Sequence, residues 1–141
     1  MPLIEEKDRR TIQDTLADMV GPVKLVNFTQ ELECQYCRET RQLMEELASL
    51  SDKLSLEVFN FQTDKGTAEK YGIDKIPATV IKGQKDHGIR FYGIPAGYEF
   101  ATLLEGIMAV SRGDSRLADK TREKLKTITR PVHIQVFVTP T

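Results

Sequence analysis

Apolar positions along this chain recur in two rhythms, one of period near four and one of period two. From about Glu5 to Met19 the spacing is helical, with Ile12, Leu16, Met19 and Val20 on one stripe. Gly21-Pro22 ends that run, the glycine by tolerating left-handed backbone and the proline by lacking a donor. Val23–Phe28 reads as a first strand and Thr29 to Glu33 as a loop. A second helical run, reaching about Leu50, carries Leu43, Met44, Leu47 and Leu50. After the polar break Ser51-Asp52-Lys53, Leu54, Leu56 and Val58 alternate with Ser55 and Glu57, which predicts a strand over Leu54–Phe61. A short helix is expected over Lys65–Tyr71 and a third strand over Ala78–Lys82. Gly83-Gln84-Lys85-Asp86 reads as a hairpin turn, and Ile89–Tyr92 as a fourth strand. Beyond the loop Gly93–Gly97, a closing helix puts Phe100, Leu103, Leu104, Ile107 and Met108 on one face.

The order helix, β, α, β, α, β, β, α constrains the topology. The first β-α-β must be a right-handed parallel crossover, and strands three and four an antiparallel hairpin. The fold class is therefore α/β, a mixed four-stranded sheet flanked by helices. Residues 1–111 make this unit. Residues 112–141 form an extension with a helix over about Ser115–Thr127 and a strand-like run at Val132–Val138.

Composition narrows the function. The chain has 141 residues, 40% hydrophobic and 29% charged, enough for one domain with a real core. Twenty Lys and Arg against 21 Asp and Glu give no electrostatic case for a nucleic-acid or anionic-membrane partner. No apolar run is long enough to span a bilayer, and Met1–Arg10 lacks a signal-peptide core. These features predict a cytoplasmic protein. The charge content also suits a thermophile.

The chemistry concentrates in Cys34-Gln35-Tyr36-Cys37, the only two cysteines of the chain. They lie where the first strand gives way to a helix. A helix N-terminus carries partial positive charge and favours a thiolate. Two intervening residues let both sulfurs reach one another from the first helical turn. A zinc half-site is the first alternative, but zinc needs four ligands, and His87 and His133 are far apart and not in ligand spacing. A structural disulfide is the second. In a reducing cytosol, two cysteines in this pattern point to catalysis rather than structure. No metal and no cofactor beyond the redox-active disulfide is expected.

A second signal lies about forty residues on. Ala68-Glu69-Lys70-Tyr71-Gly72-Ile73, followed by Ile76-Pro77-Ala78-Thr79, resembles the thioredoxin pattern before the third strand. The resemblance covers about Val23 to Val110 and implies the thioredoxin fold. It implies that Pro77 is cis and lies beside the cysteine pair, with the Ile76 backbone free to pair with a substrate peptide. Without the resemblance, Pro77 reads as an ordinary trans proline opening an edge strand.

The extension repeats the opening of the unit. Pro22-Val23-Lys24-Leu25 with Phe28 matches Pro131-Val132-His133-Ile134 with Phe137, roughly 109 positions apart, about one thioredoxin unit. This tandem signature and the Cys34–Cys37 motif resemble the protein disulfide oxidoreductases of thermophilic microbes, also called glutaredoxin-like proteins. So do Phe91-Tyr92-Gly93-Ile94-Pro95-Ala96-Gly97, with Glu99-Phe100, and the phrase Val136–Thr141. In that family the last phrase leads into a second cysteine pair, and this chain stops before it. The resemblance implies single-site exchange on protein disulfides rather than isomerase-like work needing two sites. It also implies a flavoprotein electron donor of thioredoxin-reductase type.

Within that frame, Cys34 is expected to be the attacking thiolate and Cys37 the resolving thiol. Gln35 and Tyr36 tune the site without positive charge, and Glu33 opposes acidification of Cys34. Thioredoxins place a buried Asp near the position of Asn27 to take the proton of the resolving cysteine; an amide cannot. Glu57 is a weak substitute, better read as a solvated edge position. A second reading is an electron-relay or binding module that serves a specific partner, such as a peroxide-reducing system. The apolar run Val132–Val138 is expected to associate, as a homodimer through that strand or by docking on its own sheet.

Overall fold

Every strand of the sheet is fixed by its pairing with β1 or with a neighbour of β1. In the computed structural model, which describes residues 1–139, β1 (Val23–Thr29) is central. It pairs in parallel with β2 (Leu54–Asn60) and antiparallel with β3 (Ala78–Lys82), which pairs antiparallel with β4 (Asp86–Tyr92). The order is β2-β1-β3-β4. The helices are α1 (Glu6–Leu16), α2 (Cys37–Ala48), α3 (Lys65–Lys70), α4 (Tyr98–Arg112) and α5 (Asp119–Leu125). This is the mixed four-stranded thioredoxin layout, with one extra helix ahead of it and one behind.

Period-two burial divides the core. Val23 and Leu25 of β1 and Ile81 of β3 pack with Ile12 and Leu16 of α1, Leu43, Met44 and Leu47 of α2, and Leu103 and Ile107 of α4. Val26, Phe28, Ala78 and Val80 turn to the other face, with Ala68 and Ile73 at α3. The buried residues of α2 fall at 37, 40, 43, 44 and 47, one stripe of a 3.6-residue helix.

The added first helix is tied to the unit by Ser111. Its hydroxyl accepts the Val20 N–H at 2.8 Å and donates to the Gly21 carbonyl at 2.8 Å. Its carbonyl accepts the Gly21 N–H at 3.0 Å. Gly113, at φ 71°, closes α4 in the left-handed conformation, its N–H reaching the Ala109 and Val110 carbonyls.

Several element ends shift from the sequence reading, as at α1, which stops at Leu16 rather than Met19. β4 begins at Asp86, not Ile89, because the Asp86 carboxylate caps the irregular start, accepting from the Gly88 N–H and the Arg90 guanidinium. α5 is shorter than the expected Ser115–Thr127 helix. Its apolar side is not buried, so Leu117, Leu125 and Ile128 remain exposed. The run Val132–Val138 does not form a strand: a strand needs a neighbour's backbone groups, and no ladder includes these residues. The end of the Val136–Thr141 phrase, Pro140 and Thr141, lies outside the described residues.

Candidate functional site

The site is built where β1 ends. The chain leaves Thr29, loops through Glu33 and re-enters regular structure at Cys37. α2 therefore starts at the second cysteine, and Cys34 sits in the loop before it, not on the first helical turn as the spacing suggested. Cys34 and Cys37 are joined by a disulfide with Cα atoms 5.6 Å apart. Cys37 is fully buried at 0% exposure, whereas Cys34 is half-buried. The loop reaches this geometry with Glu33 at φ 56°, a left-handed conformation uncommon for a residue with a side chain.

Tyr36 is the residue before the helix and 48% exposed. Its carbonyl accepts both the Thr40 N–H at 3.0 Å and the Thr40 hydroxyl at 2.7 Å, which anchors the start of α2. Gln35 and Glu33 are exposed. The acidic character of the rim extends to Glu39 in the first turn of α2, which has one carboxylate oxygen buried without a partner. The sequence reading missed Glu39; its only signal was an acid two residues past the motif.

Pro77 comes to the same end of the sheet. Ala78 pairs with Phe28, so Pro77 is level with Thr29 at the mouth of the cysteine loop. The Ile76–Pro77 bond is cis. Pro77 is buried, and its carbonyl accepts the Gly93 N–H at 2.9 Å. Ile76 is half-buried and makes no backbone hydrogen bond among the described residues.

Asn27 and Glu57 part company. Asn27 is fully buried and shares a sheet face with Leu25, toward α2. Glu57 pairs across from Val26 and so belongs to the opposite face, toward α3. There it takes the Lys24 ammonium at 2.5 Å and holds that amine above its ordinary pKa by hydrogen bond and charge. Glu57 is thus in no position to serve Cys37. His87 and His133 do not converge with the cysteines, and among the described residues no cluster of His, Cys, Asp and Glu could hold a metal ion.

A cis-proline level with a disulfide at the start of a helix, on a sheet of order β2-β1-β3-β4, is a family signature, and residues 24–105 match the thioredoxin-domain description. The chain belongs to the thioredoxin-domain family. Among solved structures it is similar to a protein disulfide oxidoreductase from Aeropyrum pernix. That match is 31% identical with TM-score 0.80, and covers 90% of this chain and 56% of the other. It is also similar to the N-terminal domain of the alkylhydroperoxide reductase AhpF of Enterococcus faecalis. Here identity is 26% and TM-score 0.77, covering 86% and 59% of the two chains. Among characterised sequences, an NADH dehydrogenase of Bacillus subtilis is 29% identical over 100 residues. That stretch is 70% of this chain but only 17% of the relative. The chain thus spans under two thirds of the length of each of these proteins. Its fold and its disulfide-bonded cysteine pair are those of a thioredoxin-domain protein with a CxxC site. Among the described residues, no helix is long and apolar enough to cross a membrane.

Proposed function

We propose that this unit exchanges dithiol for disulfide on protein substrates through Cys34 and Cys37. The observation that carries the reading is the difference in access between the two sulfurs. The Cys34 thiolate, half-exposed in the loop, attacks a substrate disulfide, forms a mixed disulfide and releases one substrate thiolate, which takes a proton. The buried Cys37 thiolate then attacks the Cys34 sulfur, breaks the mixed disulfide and releases the second substrate thiol. Two electrons pass to the substrate, and the protein is left with the Cys34–Cys37 disulfide. The unpaired Ile76 backbone and the buried Pro77 support a peptide-binding role by strand addition beside the disulfide.

The oxidised pair must be re-reduced. A flavoprotein reductase fed by a nicotinamide is the donor class favoured here, supported by the names of the NADH dehydrogenase and alkylhydroperoxide reductase relatives. The same two likenesses support a second reading, a relay that passes electrons to one dedicated partner. Insulin reduction separates the two. Turnover with dithiothreitol as donor supports broad exchange. A redox-active pair that leaves insulin intact supports the relay. We further infer cytoplasmic action, where a reducing pool returns the pair to its dithiol form, and self-association through Val132–Val138, whose side chains are exposed.

A further inference from the structure

Two buried oxygens under α2 have no hydrogen-bond partner among the described residues, and they face one another across a ladder. Asn27 Nδ2 donates to the Ala78 carbonyl at 3.1 Å, which fixes the amide and leaves Oδ1 buried and unsatisfied. Thr79 is the register partner of Asn27 and is also fully buried, with Oγ1 unsatisfied. Directly paired residues share a sheet face, and this face is the one Leu25 and Ile81 present to α2.

Topology sets what lies above them. β2 restarts at Leu54 beside Val23, so α2 must run back along β1 from its Thr29 end. Its first turn, which holds the buried Cys37 and Thr40, is therefore level with the end of β1 that carries Asn27. Unsatisfied buried acceptors are costly, and native cores contain few. Both occur together here, in the oxidised protein, where the Cys37 sulfur has no proton to give.

We propose that Asn27 and Thr79 are the hydrogen-bonding floor for Cys37 in the reduced protein. The inference rests on the redox reading above and deepens it. An external dithiol attacks Cys34, the Cys34–Cys37 bond breaks, and Cys37 leaves as a thiolate. The Thr79 hydroxyl donates to that thiolate. Once the sulfur has taken a proton from solvent, its S–H donates to Asn27 Oδ1. The mixed disulfide is resolved by the second thiol of the donor, which ends as a disulfide, while Cys34 leaves and is protonated. Reduction thus supplies the partner that both oxygens lack, and the pair biases the couple toward the dithiol without any carboxylate.

The test is the thiol–disulfide equilibrium of the whole chain in glutathione buffers, read by alkylation and mass. Asn27→Leu removes the acceptor and is expected to shift the equilibrium about tenfold toward the disulfide, ~30 mV for a two-electron couple. Thr79→Val keeps shape, loses no existing bond, and is expected to shift it several-fold the same way. Both variants should lower the thermal stability of the reduced form more than that of the oxidised form. Ser111→Ala, which removes a buried hydroxyl remote from the motif, should leave the equilibrium unchanged. If Asn27→Leu does not fold, Thr79→Val carries the test. Equilibria within twofold of the parent, or a shift toward the dithiol, overturn the inference while leaving the redox reading intact. A parent disulfide that resists millimolar dithiothreitol defeats both.

Discussion

Val23 and Val132 hold matching places in a repeated phrase, yet Val23 is 1% exposed and Val132 63%. The contrast runs on: Phe28 is fully buried, and its counterpart Phe137 is 88% exposed. The first copy is the central strand of a sheet with both neighbours in place. The second copy has a central strand's sequence and no sheet. An apolar segment with open backbone edges is a template for pairing.

The chain is therefore expected to form dimers at tens of micromolar through residues 132–138. Light scattering on the chain, and on a version ending at Arg130, checks this. A dimer that becomes a monomer on truncation is the expected result. Two monomers would mean that the segment docks within its own copy or stays open.

The two cysteines should behave differently when replaced singly. Cys34→Ser is expected to abolish exchange, and Cys37→Ser to accumulate mixed disulfides with substrate. The cause is access, since Cys37 is wholly buried and Cys34 is not. Iodoacetamide labelling of the reduced protein across a pH series checks the order. Faster labelling of Cys37 at lower pH would reverse the assignment.

Much of this site was legible in the sequence because its signals are local. A cysteine pair at a strand-to-helix change and a proline ahead of the third strand sit in short motifs, and the apolar run Val23–Phe28 marks a strand buried on both faces. What was not legible depends on partners distant in sequence. Asp86 joins β4 through its contacts with Arg90 and Gly88, which no apolar alternation announces. Thr79 matters through its place opposite Asn27, and a threonine in a strand looks ordinary. Asn27 itself was noticed only for lacking a carboxylate, since burial and an unpaired oxygen are properties of the packed state. Val132–Val138 failed as a strand for the converse reason, that its pattern is right and no strand among the described residues pairs with it.

Ser111 should be a stability residue rather than a site residue. Ser111→Ala removes a hydroxyl that bonds both Val20 and Gly21. A loss of about 1–3 kcal/mol is expected, because the Val20 and Gly21 backbone groups lose their partner. Denaturant unfolding measures it, and exchange activity at low temperature should be unchanged.

Asp86 gives a pH-dependent contribution with a defined sign. Its carboxyl is held below the ordinary value by its bond to Arg90, with burial opposing and the Gly88 N–H assisting. A depressed acid stabilises the fold above its unfolded pKa, and the contribution fades as pH falls through the folded value. Asp86→Asn is therefore expected to cost about 1 kcal/mol near pH 7, for a partly exposed pair, and almost nothing at pH 2. A cost that stays constant across that range would assign the effect to packing instead.

The reduction potential of the Cys34–Cys37 couple tests the central claim most directly. The motif itself has no positive side chain and follows Glu33, while Arg38 and Glu39 beyond it offset one another, so the thiolate is not stabilised as in a strong oxidant. Equilibration against glutathione buffers, followed by alkylation and mass measurement, should show one two-electron transition. Its midpoint is expected on the order of −180 to −270 mV. A value below about −300 mV, where structural disulfides lie, would contradict the account, and a midpoint near about −120 mV would contradict its electrostatics.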